Sequence, residues 1–303
     1  MRLKFPLKIL VASSFLVIGP AMVFAAFAFD LLRREVVRTT EKSVDVKLEA
    51  AFGNVILSKG NPDKIVVAEY WRTETEKQKL HLYYDVRGDR GKLQIETKET
   101  SRRGSENHVS VWKEMKGEHG DLEDRHLNLQ FSDAIPMSYD IELGAGKGDF
   151  DFTGLKVRDL KLSSGASAVE FRMDEPNEVE CDAVTIESGV SKFTGSNLAN
   201  LNFRKLKFSG GVGAYKLDFG GELQRSASVD VEVGLGAVTL SIPREIPARI
   251  ISDESWFSSL DVDDAFERTR KKSVYETADF STSRKTLTIR VESGLGSVRV
   301  RSR

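Results

Sequence analysis

The segment IELGAGKGDF, residues 141–150, sets Gly144, Gly146 and Gly148 at alternate positions around Lys147. Glycines and a lysine so spaced could cradle a phosphate. A phosphate loop, however, needs Ser or Thr directly after the lysine and a helix beyond it. Here Gly148 follows Lys147, and Asp149-Phe150-Asp151-Phe152 continues in strand-like alternation. Dinucleotide binding fails on the same missing helix, whose N-terminus would hold the phosphates. Asp149 and Asp151 share one side of a strand and could bind a cation or divide acid–base work. On an outward face such a pair is ordinarily just solvated. Asp261, Asp263 and Asp264 form the densest acidic cluster, but without the spaced ligands and glycine of a calcium loop. His81, His108, His119 and His126 show no three- or four-residue spacing, and no cysteine supports them as a metal site. No G-x-S-x-G elbow occurs. The sequence thus assigns no catalytic residue, no metal ligand and no cofactor. A carbohydrate-active enzyme would need Asp149, Asp151, Asp261 and Asp263 to converge within about 5–9 Å.

The glycines make sense once other segments are aligned with the first. YDIELGAGKGDFDF, with Gly144, is followed by LKLSSGASAVEF (Gly165), VTIESGVSKFTG (Gly189), LKFSGGVGAYKLDF (Gly211) and VDVEVGLGAVTLSI (Gly234). RIISDESWFSSLDV fits with Trp256 in the slot, and LTIRVESGLGSVRV closes the series with Gly294. An earlier copy, VDVKLEAAFGNVIL, has Ala51 there. Both flanks of each copy alternate apolar and polar residues, the signature of half-buried strand. A unit of about 22 residues cannot bury its own apolar face, whereas stacked units bury a continuous column. The reading is an all-β, right-handed parallel β-solenoid-like stack, each rung holding two or three short strands. The glycines sit at corners, where φ > 0 and close approach of neighbours exclude bulk. Phe150, Phe152, Phe171, Phe193, Phe208 and Phe219 are expected to form core ladders. Residues 134–303 carry the regular repeats, with an excursion near 263–285. Residues 36–133 are less regular, with alternating runs between charged loops. RVRSR at the C-terminus would guard an exposed final edge.

The N-terminus speaks about compartment. MRLKFPLK carries Arg2, Lys4 and Lys8, and residues 9–29 hold no charge. A basic start before an apolar run marks export. Residues 1–28 are either a signal peptide, cleaved after Ala26-Phe27-Ala28, or an uncleaved membrane-anchor helix; the run is long enough to span. The body then lies outside the cytoplasm, in the periplasm or held at the inner membrane. The chain's 303 residues carry a net charge of −1, which gives no global footprint for nucleic acid. Its single cysteine, Cys181, excludes a disulfide framework and reads as a small buried residue.

IPMSYDIELGAGKGDFDFTGLKVRDLKLSSGAS resembles the toast-rack family of bacterial envelope proteins. The shared pattern is Ile135-Pro136, the Gly144-Ala145-Gly146 turn, the Asp149-Phe150-Asp151 strand and Gly154-Leu155. The ending WFSSLDV…VYETADF…LTIRVESGLGSVRV is similar to the family's terminal segment. The family includes the C-terminal part of LiaF-like cell-wall-stress proteins and adhesin-type domains of unknown function. The resemblance implies a displayed β-solenoid-like domain, not an enzyme, with no established catalytic residues to carry over. The expected role is to present a surface to an envelope protein or polysaccharide. Stress sensing at the inner membrane and a carbohydrate-active β-helix are the alternatives. Candidate contacts are Lys147, Asp149, Asp151, Trp71 and Trp112; Gly144, Gly146, Gly165, Gly189, Gly211, Gly234 and Gly294 are structural turns. An open end of the stack offers a route to homo-oligomers.

Overall fold

The computed structural model describes residues 29–73, 78–99, 126–253, 258–271 and 273–303. The expected signal or anchor helix, 1–28, lies outside the described residues, as do Trp112 and Trp256. No helix among the described residues is long and apolar enough to cross a membrane. Among the described residues the alternating segments form sixteen strands. β1 (Phe29–Val37), β2 (Ser43–Lys59), β3 (Lys64–Thr73), β4 (Gln78–Arg87), β5 (Arg90–Glu99) and β6 (His126–Phe131) come first. β7 (Met137–Asp151), β8 (Val157–Arg172), β9 (Cys181–Ser196), β10 (Phe203–Asp218) and β11 (Ala227–Ile242) follow. β12 (Ala248–Asp253), β13 (Ser258–Val262), β14 (Glu267–Arg268), β15 (Val274–Glu276) and β16 (Leu287–Ser302) complete the chain.

β2, β7, β8, β9, β10, β11 and β16 lie side by side, parallel and in register. Each is one strand of 15 to 17 residues that runs straight through the small-residue corner. This corrects the expected two or three short strands per rung. The corner residues are small enough for the strand to bend without breaking its hydrogen-bonded ladder. The bend does shift the side-chain phase. On β7, residues 137, 139, 141 and 143 are buried before the corner, and 148 and 150 after it. Every rung therefore has two arms that bury facing side chains.

The rungs at both ends are split. The first arm of β2 pairs with β5 and its second arm with β6, both parallel. At the far end β16 pairs in the same manner with β12 and β13. Antiparallel strands then cap the arms: β4 on β5, β3 and β1 on β6, and β15 with β14 on β12. The excursion after β13 is thus partly a hairpin against the last rung. RVRSR does not form a free final edge: Arg299 and Val300 pair on both sides, and Arg301 and Ser302 pair with β11. Pairing is unbroken across residue 133: β2, from the less regular segment, matches β7 from Val44–Met137 to Leu57–Phe150.

Inward side chains line up rung on rung. Leu48, Ile141, Leu162, Ile186, Phe208, Val231 and Val291 make one column on the first arm. Val55, Gly148, Val169, Phe193, Tyr215, Val238 and Val298 make another on the second. The arms interlock through aromatic rings: Phe208 lies 5.3 Å from Phe193 and 5.2 Å from Tyr215, centroid to centroid. Small residues make room for large ones. A Cβ at Gly210 would stand 2.6 Å from the Tyr215 ring, and one at Gly148 2.7 Å from Phe150. All six expected core phenylalanines are buried, and so is Cys181, whose thiol burial pushes up to about 12. In the turns that link successive rungs, buried asparagines satisfy backbone left unpaired there. Asn177 Nδ2 donates to Val157 O (2.6 Å) and Leu201 O (3.1 Å), and Asn200 Nδ2 to Met173 O (2.8 Å).

The repeated glycine slot works by close approach. Gly144, Gly165, Gly189, Gly211, Gly234 and Gly294 have no positive φ; that conformation falls two residues later, at Gly146 (124°), Gly236 (146°) and Gly296 (141°). A Cβ in each slot would meet the backbone carbonyl of the rung before: 2.8 Å for Gly211 on Gly189 O, 2.6 Å for Gly294 on Gly234 O. A Cβ at Gly165 would press on the Gly144 carbonyl, which cannot rotate aside. Gly165→Ala should therefore cost about 1–3 kcal/mol in urea unfolding. Ser163→Ala, on the outward face, should stay within about 0.5 kcal/mol. Equal losses for the two would contradict the close-approach account.

Candidate interaction surface

The corner and its flanks repeat the same chemistry on successive rungs. Two residues before each slot stands an outward column of Glu96, Glu49, Glu142, Ser163, Glu187, Ser209, Glu232 and Glu292. Two residues earlier still stand Lys47, Asp140, Lys161, Thr185, Lys207, Asp230 and Arg290, a column of mixed charge. Lys161 pairs with Asp140 (3.6 Å), Lys207 with Glu232 (3.2 Å) and, on the strand itself, Lys47 with Glu49 (2.5 Å). Ser163 donates to Glu187 Oε2 at 3.2 Å. Because the glycine slots lack side chains, a trough of about 770 Å³ runs over six rungs, from β5 to β10. Its walls include Glu49, Glu142 and Glu187, and its floor Gly144, Gly165, Gly189 and Gly211.

Directly after the slot comes a third column: Phe52, Ala145, Ala166, Val190, Val212, Leu235 and Leu295. Its last four members are large, aliphatic and outside the core: Val190 is 66% exposed, Val212 45%, Leu235 47% and Leu295 50%. They form a ridge over four adjacent rungs. Aligning the copies could have found it, since the residue after the slot is Val, Val, Leu and Leu in SGVSKF, GGVGAY, VGLGAV and SGLGSV. Its exposure could not be read there, because alternation alone does not show how the phase shifts at the bend.

The proposed contact residues fare unequally. Lys147 is exposed at the corner of β7, two rungs from Val190 at the near end of the ridge. Asp149 and Asp151 are half-buried, and both face Arg172 on the next rung, at 3.8 and 3.0 Å. Asp151 also accepts the Thr153 N–H at 3.0 Å. Trp71 is half-buried on β3, opposite Leu31 and His126. Asp261 pairs with Arg301, and Asp263 caps the Ala265 N–H at 3.1 Å. Asp149 and Asp261 occupy the same outward column six rungs apart. That separation is about 29 Å, far beyond the reach of a carboxylate pair acting on one glycosidic bond. The cross-rung ion pairs read as fastening between rungs.

Partial burial raises the Asp151 carboxyl, but the Thr153 and Arg172 hydrogen bonds outweigh it and hold the group below the usual carboxylate range. A depressed folded pKa stabilises fully above the unfolded value, about 4, and the benefit disappears as pH falls through the folded value. Urea unfolding should accordingly show Asp151→Asn weaker than wild type at pH 7, with the gap closing below about pH 3. A gap independent of pH would contradict the ion-pair assignment.

Residues 32–195, more than half of the chain, match the family described as the N-terminal domain of toast_rack, DUF2154. A search of curated proteins finds no match. Among solved structures, a putative cell adhesion protein from Clostridium sporogenes ATCC 15579 is similar at 16% identity and a TM-score of 0.45, covering 91% of this chain and 100% of that one. A putative adhesin from Bacteroides fragilis NCTC 9343 is similar at 12% identity and a TM-score of 0.37, covering 90% and 97%. With the family profile spanning β2 and the first three regular rungs, the chain belongs to the toast-rack family.

Proposed function

We propose that this is a non-catalytic, exported envelope protein whose solenoid-like stack presents the corner strip to a macromolecular partner. The observation that carries the reading is the in-register repetition of one surface chemistry. Acids stand on β2, β7, β9, β11 and β16, the bare trough runs along β5 to β10 and the aliphatic ridge along β9 to β16, with successive rungs about 4.8 Å apart. A partner lying along the stack meets the same groups repeatedly, whether it is a protein or a polysaccharide. The cross-rung engagement of Asp149, Asp151 and Asp261, and their distance apart, weigh against hydrolytic chemistry. The basic start and the uncharged run 9–29 support export, with the body in the periplasm or anchored at the inner membrane.

Photo-crosslinking in intact cells tests this. A crosslinking residue at Ser209, in the trough, should give a discrete adduct, whereas one at Glu222, in a turn behind the second arm, should not. No adduct from Ser209 above the Glu222 background would sink the assignment of the strip as a contact surface.

A further inference from the structure

We propose that the occupant of the corner strip is a second copy of this chain, packed in parallel about a two-fold axis that runs along the ridge. The inference rests on the strip being a contact surface and names what it contacts.

Half-exposed aliphatics on four adjacent rungs have no role in the core. Val190, Val212, Leu235 and Leu295 each stand between two small residues, as in Gly211-Val212-Gly213 and Gly234-Leu235-Gly236. They are knobs on nearly bare backbone, and an opposing surface can approach closely. A ridge of this kind marks an interaction site.

The flanking charge selects the partner. On β9, Glu187 precedes Val190 by three residues on the first-arm side, and Lys192 follows by two on the second-arm side; both are exposed. On β7, Glu142 and Lys147 flank Ala145 in the same order. On β8 and β10 the equivalent pairs are Ser163 with Ala168 and Ser209 with Ala214, without charge, and on β11 and β16 Glu232 and Glu292 go with the uncharged Ala237 and Ser297, so β7 and β9 carry the charge match. A two-fold axis along the ridge keeps rungs level and exchanges the two sides. Each Glu187 then faces the partner copy's lysine at position 192, and the reverse; Glu142 and Lys147 repeat the match. On these rungs no like charges meet. An axis across the ridge would instead set acid column against acid column, which is repulsive. The strip is thus self-complementary in one orientation, as an isologous contact requires. From β7 to β16 it is about 24 Å long. It is therefore smaller than standard interfaces of about 800 Å² per partner and suits a micromolar, reversible dimer.

The test is sedimentation of the full chain in mild detergent, with disulfide trapping in intact cells. Wild type should dimerise reversibly. E187K and K192E should each weaken the dimer about tenfold by placing like charges together, and E187K/K192E should restore it. Unchanged thermal unfolding in all three guards against a folding defect. V212C should form a covalent dimer where E222C does not. V190C and L295C, mixed, should crosslink like to like. V190C-to-L295C products would overturn the parallel arrangement. A chain that stays monomeric, or a dimer indifferent to both single swaps, would overturn the proposal. If Ser209 nevertheless crosslinks to a different envelope component, the contact-surface reading survives and only the second copy is wrong. If Ser209 gives no adduct at all, both fail.

Discussion

The structure depends on how closely one rung's backbone approaches the next at the corner. In every glycine slot a Cβ would come within 3.1 Å or less of a carbonyl oxygen of the preceding rung. This contact fixes the level of the bend in each strand. Once the bends are level, the arms on either side fall into register, and inward residues stack without further instruction. The aromatic interlock of Phe193, Phe208 and Tyr215 follows, since both arms must be placed correctly for rings from opposite sides to meet.

Much of this was legible in the sequence because the repeat is short and its slot is chemically narrow. The register, the buried phenylalanines and the copy around Ala51 all follow from period-two alternation about a small residue. Three features were not legible, each for a physical reason. The single strand through the corner was missed because glycine suggests a break, whereas here it permits a bend within a continuous ladder. Gly144 and Gly146 were both expected to serve the turn, but only Gly146 takes the left-handed conformation while Gly144 answers crowding, since both demands favour glycine and a sequence does not separate them. The end rungs were opaque because β5 with β6, and β12 with β13, build one rung from two strands and join the stack out of chain order. The candidate site was half visible. Lys147 does lie at the corner, but Asp149 and Asp151 serve Arg172, and the exposed ridge hid among residues that look like core.

The stack also explains where a surface function can reside. The inward columns are fixed by packing and the slots by close approach, so only outward positions can vary without loss of fold. Those positions are read out at one residue per rung, turning a repeated sequence into linear columns of charge and apolar surface. The aliphatic ridge stands out against them because nothing inside the molecule needs it to be large.

The central claim is that β2 through β16 form one packed stack, with no break where the less regular segment meets the regular repeats. Native-state hydrogen exchange on the ladder amides tests it most directly. The account predicts that amides of β2, β7, β8, β9 and β10 share one highest opening free energy, equal to that of global unfolding. A β2 ladder that opens separately, well below the value for β8 to β10, would contradict it.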